Sequence, residues 1–167
     1  IFRKASLEDI ESIGGILEMA RSSLRDDGID QWQKTNPNED IIREQIEKDD
    51  AYVFDKDGKA LAYAYVFDGV DPCYNIHEDK FKSDSYLVIH TLMVDNRGIV
   101  PKLGTKFMEA LVDHTEKYGK KSIRIDTHED NFRMRGLLDK FSFEEIGIVQ
   151  IDEDGIPKDR ICYEKVL

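Results

Sequence analysis

The chain has 167 residues, of which 40% are hydrophobic and 35% charged, as in a globular protein and unlike a disordered chain. Its 24 basic and 35 acidic residues leave a net charge of -11, which would repel a phosphate backbone and argues against nucleic acid as a partner. This length is enough for one hydrophobic core, so we predict a single domain over residues 1–167.

Cysteine spacing and hydropathy bear on where the protein acts. Cys73 and Cys162 show no CxxC or Cys/His spacing, so neither a disulfide framework nor a zinc site is predicted. No window reaches the roughly 18 apolar residues of a membrane-spanning helix, and the first residues lack the apolar run of a signal peptide. We expect a reduced, cytoplasmic protein that has no membrane partner.

The first half of the chain predicts a strand, two helices and a hairpin. The strand lies in FRKAS, and a helix begins near residue 7, where Ser6 and Asp9 have the spacing of a capping box. The runs AYVFD and ALAYAYVFDG, joined by residues 56–58, predict a β-hairpin with an Asp-Gly turn. Between the first helix and this hairpin, a second short helix is indicated by the apolar set Ile41, Ile42, Gln45 and Ile46.

The second half begins with a long, turn-rich insertion, VDPCYNIHEDKFKSD. The run SYLVIHTLMVD is almost continuously apolar, which is typical of a strand covered on both faces. A helix from Lys102 to Tyr118, ended by Gly119, follows. The strand KSIRIDTH, a short helix capped by Asp130 or Asn131, and a closing hairpin complete a mixed α/β order.

Two segments and the order of elements together carry a family resemblance. The segments are VDNRGIVPKLGTKF, a loop that opens a helix, and NFRMRGLLDKFSF, the last helix and the turn after it. Over nearly its whole length the chain resembles the GNAT superfamily of N-acetyltransferases. The resemblance implies the GNAT-like acyl-CoA N-acyltransferase fold, a central, mostly antiparallel sheet flanked by about four helices. It also implies acetyl-CoA or coenzyme A as co-substrate, and no metal.

The loop matches the superfamily's pyrophosphate-binding pattern in one register only. That pattern is Val-x-Pro, two residues, Arg or Gln-x-x-Gly-x-Gly or Ala, and counting from Val94 puts its last glycine on Gly104 and its central one on Lys102. Proline is accepted in the first turn of a helix, so a helix start near Pro101 supports this register and leaves Arg97 as a flanking charge. The resemblance assigns cofactor binding to the end of the preceding strand, to this loop and to the asparagine that opens the last helix: Leu92, Met93, Val94, Ile99, Val100, Lys102, Leu103, Gly104, Thr105 and Asn131.

The resemblance also suggests candidates for the chemistry. His90 lies where some amine acetyltransferases carry a histidine and is a possible base, although a structural role is the alternative. Leu138 stands where many members keep a tyrosine as general acid, and leucine cannot donate a proton. Tyr163 and Tyr74 are possible replacements, and each also fits a core position. The candidates for substrate binding are Trp32, Phe81 and His128.

The leading hypothesis is an acetyl-CoA-dependent N-acetyltransferase, which transfers an acetyl group to an amine by direct attack. The alternative is a non-catalytic acyl-CoA-binding, sensor or interaction module with the same fold. A P-loop nucleotide enzyme is excluded, because no Gly-x-x-x-x-Gly-Lys-Ser/Thr motif is present. The acceptor is expected to be a small-molecule or peptide amine, and its identity stays open among polyamines, amino acids, antibiotics and protein N-termini. A homodimer is possible.

Overall fold

A computed structural model describes all 167 residues and contains seven strands and four α-helices in the predicted order. Two further segments, Leu7–Asp9 and Pro72–Lys80, form 3-10 turns. None of the helices is both long and apolar enough to span a membrane. The elements are β1 (Phe2–Lys4), α1 (Ile10–Asp26), α2 (Glu39–Glu47), β2 (Ala51–Lys56), β3 (Lys59–Phe67), β4 (Tyr86–Val94), α3 (Leu103–Lys117), β5 (Ser122–Thr127), α4 (Phe132–Lys140), β6 (Glu144–Glu153) and β7 (Ile156–Val166).

The seven strands follow the order β1-β2-β3-β4-β5-β7-β6 in one mixed sheet. β4 and β5 run parallel, whereas the pairs β1–β2, β2–β3, β5–β7 and β6–β7 are antiparallel. The predicted fold class, a mostly antiparallel sheet with about four helices, is confirmed. Contacts divide the chain into two compact units, the first comprising Ile1–Val66 and His90–Ala110 and the second Phe67–Ile89 and Leu111–Leu167. The single domain over 1–167 stays a prediction.

The core of the first unit lies where α1 and α2 pack on β2, β3 and the end of β4. Helical structure begins near residue 7 as predicted, but as the 3-10 turn Leu7–Asp9, and α1 itself starts at Ile10. The N–H of Ser6 donates to the Asp9 carboxylate at 2.8 Å. Asn38 caps α2 by accepting the N–H of Ile41 at 3.0 Å. The core members are Ile13, Ile16, Leu17, Ile42, Ile46, Ala51, Val53, Ala60, Tyr63 and Met93.

The second unit is built on β5, α4 and the β6–β7 hairpin. The insertion, residues 68–85, is fastened to these strands by polar contacts. The buried carboxylate of Glu164 accepts the N–H groups of Lys82, at 2.9 and 3.2 Å, and of Ser83, at 3.1 Å. The buried guanidinium of Arg124 lies between the rings of Phe81 and Tyr86, at 3.7 and 3.5 Å from their centroids. The insertion is therefore an ordered part of this unit.

Candidate functional site

The strand β4 contains a conformational irregularity at Thr91. This residue has a φ of 55°, which lies in the left-handed region that β-branched residues rarely enter. The burial pattern also changes at this place, because His90 and Thr91 are half-buried between the buried residues 87–89 and the buried Leu92 and Met93. β4 therefore bends between the predicted base, His90, and the residues predicted to contact the cofactor.

The end of β4 pairs with β3 on one edge. The N–H of Asp95, the residue that follows the strand, donates to the carbonyl of Leu61 at 2.7 Å. Because successive peptide groups in a strand point to opposite edges, some of those between Leu92 and Val94 point away from β3. Such groups are suited to pairing with an extended ligand that carries amides.

The loop after β4 is organised by an ion pair. Asp95 is buried, and its carboxylate accepts three bonds at 2.6 to 3.1 Å from the guanidinium of Arg97 and one at 2.9 Å from the Arg97 N–H. This side-chain contact with Arg97 is the main reason why the pKa of Asp95 is lowered. The Arg97 guanidinium is therefore bound to a carboxylate of its own loop. This agrees with the predicted register, in which Arg97 is a flanking charge.

The start of α3 supplies donors for an anion. α3 begins at Leu103, two residues after Pro101, and Lys102 immediately before it is left-handed, with a φ of 56°. The N–H of Lys106 donates to the carbonyl of Lys102 at 3.0 Å. The N–H groups of Leu103 and Gly104 precede this bond, so the helix offers them no carbonyl one turn earlier. With the Lys102 side chain exposed and no side chain at Gly104, this turn suits a phosphate group. Ile99, exposed, and Val100, half-buried, lead into it.

In the second unit, Asn131 and Leu138 occupy the two ends of α4. The side-chain oxygen of Asn131 accepts the N–H of Met134 at 3.2 Å, which confirms Asn131 as the N-cap. Its predicted contact with a cofactor stays a prediction. Leu138 is fully buried and packs into the core, so the position at which a tyrosine is expected carries only an apolar side chain.

The two candidate tyrosines, both buried, bind different partners. The Tyr74 hydroxyl donates to Asp126 at 2.5 Å, and burial, followed by the Asp126 charge, raises the pKa of Tyr74 well above its usual value. The Tyr163 hydroxyl accepts from the Arg135 guanidinium at 3.0 Å and donates to Glu145 at 3.4 Å. Burial raises the pKa of Tyr163, but the Arg135 contact opposes this shift.

The three residues predicted to bind substrate all contribute to packing or turns. In the first unit, Trp32 packs against the core from a loop that Arg21 fixes by donating to the carbonyl groups of Thr35 and Pro37. In the second unit, Phe81 stacks on the Arg124 guanidinium. His128, also in the second unit, accepts the N–H of Asp130 through Nδ1 at 3.0 Å. Their substrate-binding roles stay predictions.

Sequence reasoning missed a polar contact in the first unit. The Tyr63 hydroxyl donates to the Gln45 side chain at 2.6 Å, and the Gln45 amide donates to the Thr91 hydroxyl at 3.4 Å. The one available signal was the glutamine itself, which stands on the apolar face of α2 among Ile41, Ile42 and Ile46. A polar residue at such a position needs a partner, because an unpaired polar group costs free energy when it is buried.

Comparison with known proteins identifies the family to which this fold belongs. The model of the Acetyltransferase (GNAT) family matches residues 17–143. A GNAT-family acetyltransferase from Streptococcus agalactiae is 30% identical, with a TM-score of 0.86 over 100% of this chain and 95% of that chain. No curated protein matches the chain in sequence.

Two more distant structures share the fold alone. The ribosomal-protein-alanine N-acetyltransferase from Brucella melitensis is 15% identical, with a TM-score of 0.71 over 100% of this chain and 99% of that chain. The protein yncA from Salmonella typhimurium, whose structure contains its cofactor acetyl-CoA, is 14% identical, with a TM-score of 0.65 over 99% of this chain and 92% of that chain. The family model and the Streptococcus agalactiae structure together show that the chain belongs to the GNAT acetyltransferase family.

Proposed function

We propose that the protein transfers the acetyl group of acetyl-CoA to an amine by direct attack, without a covalent enzyme intermediate. The observation that carries this proposal is the start of α3, where the left-handed Lys102 leads into a helix whose first N–H groups face no intrahelical carbonyl. Family membership and the acetyl-CoA found in yncA support the choice of ligand.

The residues at the start of α3 fit the pyrophosphate of coenzyme A. The N–H groups of Leu103 and Gly104 and the Lys102 ammonium would bind it, and the lack of a side chain at Gly104 would let it approach the backbone. The buried carboxylate in the same loop, Asp95, is already neutralised by Arg97 and so opposes an anion less. When bound, acetyl-CoA supplies an activated acetyl group, and peptide groups between Leu92 and Val94 would orient its amide-bearing arm.

His90 is proposed to take the proton that the amine must lose before it attacks. A histidine can accept a proton near neutral pH, directly or through a water molecule. Its place in β4, directly before the left-handed Thr91, supports this role, since the bend sets how His90 stands relative to Leu92.

Tyr163 is the better proton donor of the two candidates. The Arg135 guanidinium donates to its hydroxyl and would stabilise a phenolate, whereas the Asp126 carboxylate disfavours ionisation of Tyr74. We therefore assign the possible general acid to Tyr163 and a structural role to Tyr74. The acceptor is proposed to be a small-molecule or peptide amine, which the net charge of -11 would attract when it is cationic.

One observation favours a second candidate function, an acyl-CoA-binding module that does not catalyse transfer. Leu138 is fully buried, so no proton donor stands at the position where many family members keep one. Such a module would bind acetyl-CoA through the same α3 start but would release no coenzyme A.

Two measurements test the proposal and separate it from the second candidate. Acetyl-CoA at about 100 times its dissociation constant should raise the free energy of unfolding by roughly 2.7 kcal/mol. Release of free thiol is then followed across polyamines, amino acids, aminoglycosides and short peptides, with acceptor-free reactions as blanks. The protein's own thiols should react slowly with a thiol reagent, because burial raises the pKa of Cys73 to about 11 and also raises that of Cys162. Binding without thiol release would favour the second candidate, and no stabilisation at millimolar acetyl-CoA would reject both.

A further inference from the structure

The left-handed conformation of Thr91 requires an explanation. A threonine in this region is disfavoured by its branched side chain and persists only where the surroundings hold it. Glycine, which usually occupies such positions, is absent here. Something in the first unit must therefore hold Thr91 in place within β4.

The contact that can do so starts at Tyr63. Tyr63 is 0% exposed and Gln45 is 8% exposed, so both polar side chains lie in the core of the first unit. The Tyr63 hydroxyl donates to Gln45 Oε1 at 2.6 Å, which turns the amide nitrogen of Gln45 toward the Thr91 hydroxyl, 3.4 Å away. Burial raises the pKa of Tyr63 well above its usual value, so its hydroxyl keeps its proton and remains a donor at neutral pH.

The position of Gln45 is itself fixed. α2 is capped by Asn38 at its start and packs into the core through Ile42 and Ile46, which flank Gln45 in sequence. The polar side chain therefore projects from a capped and packed helix toward Thr91 of β4. Two structural elements, α2 and β3, thus fix the direction of one hydrogen bond to Thr91.

We propose that Gln45, oriented by Tyr63, is a positioning residue that holds Thr91 in its left-handed conformation and thereby sets the rate of acetyl transfer. The effect on rate rests on the proposed function. Thr91 separates His90 from Leu92 to Val94, so a change of φ at residue 91 would turn the peptide groups on one side of it relative to those on the other. Misplacement of reacting groups by about 1 Å can cost about a hundredfold in rate.

The test compares variants that lack the hydrogen bond between Gln45 and Thr91 with variants in which residue 91 does not need this bond to stay left-handed. Gln45→Met keeps an unbranched side chain but loses both polar groups, and the double variant Tyr63→Phe/Gln45→Met avoids leaving the buried hydroxyl unpaired. Thr91→Gly is the matched relief variant, since glycine enters the left-handed region without penalty. Thr91→Val keeps the branched shape and replaces the hydroxyl by a methyl group.

We expect Gln45→Met, the Tyr63→Phe/Gln45→Met variant and Thr91→Val each to lower kcat about tenfold, with KM for acetyl-CoA unchanged within about threefold. Adding Thr91→Gly to either Gln45→Met variant should restore most of kcat, whereas Thr91→Gly alone should stay near the wild-type value. A role in packing alone would not be rescued by a glycine at residue 91. An unchanged kcat in the Tyr63→Phe/Gln45→Met variant, or a loss that Thr91→Gly does not recover, would overturn the proposal.

A second readout does not depend on activity. The three-bond coupling between the amide and α protons of residue 91, measured by NMR, depends on its φ and is larger in extended than in left-handed backbone. It should change from a left-handed to an extended value in the Tyr63→Phe/Gln45→Met variant, and an unchanged coupling would refute the positioning role. If the coupling changes while the wild-type protein releases no thiol with any acceptor, the proposed function fails and the control of Thr91 by Gln45 stands.

Discussion

The guanidinium of Arg97 is bound to the buried carboxylate of Asp95, two residues before it in the chain. The shortest of their contacts is 2.6 Å, and the Arg97 backbone N–H donates to the same carboxylate at 2.9 Å. Arg97 therefore stabilises the loop between β4 and α3 by neutralising a carboxylate within it. A basic residue next to a glycine resembles a phosphate-binding pair in sequence, but here the basic group already has a partner.

Lys102→Ala should weaken acetyl-CoA binding more than Arg97→Ala does. Lys102 stands directly before α3 with an exposed side chain, and loss of one charge-assisted contact should raise Kd by roughly five- to tenfold. Arg97→Ala should change Kd less but lower the melting temperature, since it leaves Asp95 buried without its counterion. Isothermal titration calorimetry and thermal unfolding measure the two effects. Equal losses of affinity would show that the loop register is wrong.

Asp9→Asn should destabilise the first unit in a pH-dependent way. Arg3 donates to both oxygens of the buried Asp9 carboxylate at 2.9 Å and also to Asp55, at 2.7 Å, so the loss at pH 7 should be about 1–3 kcal/mol. The Arg3 contact lowers the pKa of Asp9 in the folded state. Its stabilisation is therefore complete above the unfolded pKa of about 4 and is lost as the pH falls through the lower folded pKa.

Denaturant unfolding measured from neutral pH down to about pH 2 checks this prediction. The wild-type and Asp9→Asn proteins should differ most at neutral pH and converge in acid. Asp49→Asn is the matched control, because Asp49 pairs with Lys4 while both side chains are mostly exposed, and it should change stability little at any pH. A difference between wild type and Asp9→Asn that does not depend on pH would contradict the assignment to the ion pair.

Gly147→Ala should disturb the attachment of the insertion to β6. An added Cβ would lie 2.6 Å from Nε2 of His77, and this nitrogen makes a 2.6 Å hydrogen bond with the carbonyl of Ile148. The ring must move and the bond must break, at a cost of about 1–3 kcal/mol. Gly136→Ala is the control, since nothing lies within 4 Å of its added Cβ and alanine favours α4 by about 0.5–1 kcal/mol.

A double-mutant cycle separates the clash from any backbone effect at Gly147. In a His77→Ala background the clash partner is absent, so Gly147→Ala should cost much less than in the wild-type protein. The free energies of unfolding come from denaturant titrations of the four proteins in the cycle. Additive losses would place the effect in the backbone instead of the ring contact.

Glu164→Gln should loosen the end of the insertion. The Glu164 carboxylate accepts backbone N–H groups of Lys82 and Ser83 while almost fully buried, and an amide would turn a donor toward them. We expect a loss of about 1–3 kcal/mol and faster hydrogen exchange at residues 82 and 83. Glu144→Gln, which breaks an exposed pair with Lys82 Nζ, is the control and should leave both measurements nearly unchanged. Protection that survives in Glu164→Gln would contradict this account.

The order of elements could be predicted because each has a local signal. Asp57 and Gly58, both with positive φ, form the turn that an Asp-Gly pair predicts between β2 and β3. Pro101 delays the start of α3 to Leu103, close to the predicted start, and Asn131 caps α4 through its own side chain. In each case the physical cause lies within about four residues of the effect, where a sequence pattern can express it.

Other features could not be predicted because their causes are distant in sequence. The left-handed conformation of Thr91 could not be predicted, because no glycine stands at this position. The side chain that donates a hydrogen bond to it, Gln45, lies 46 positions away in the chain. The sequence predicts that Arg124 lies in a strand, but only the fold shows that its guanidinium stacks on the rings of Phe81 and Tyr86. The side chains that contact the candidate acids Tyr74 and Tyr163 likewise belong to other elements. The sequence could therefore suggest these two tyrosines as acids, but it could not predict how their pKa values shift.

The contact between Glu164 and the insertion also has a consequence for synthesis. Residues 82 and 83 leave the ribosome about 80 residues before the carboxylate that binds their N–H groups, because the chain is made from its N-terminus. The end of the insertion thus lacks its native acceptor until β7 has emerged and paired with β5. On a nascent chain, docking of this segment should be a late event that depends on the last strand.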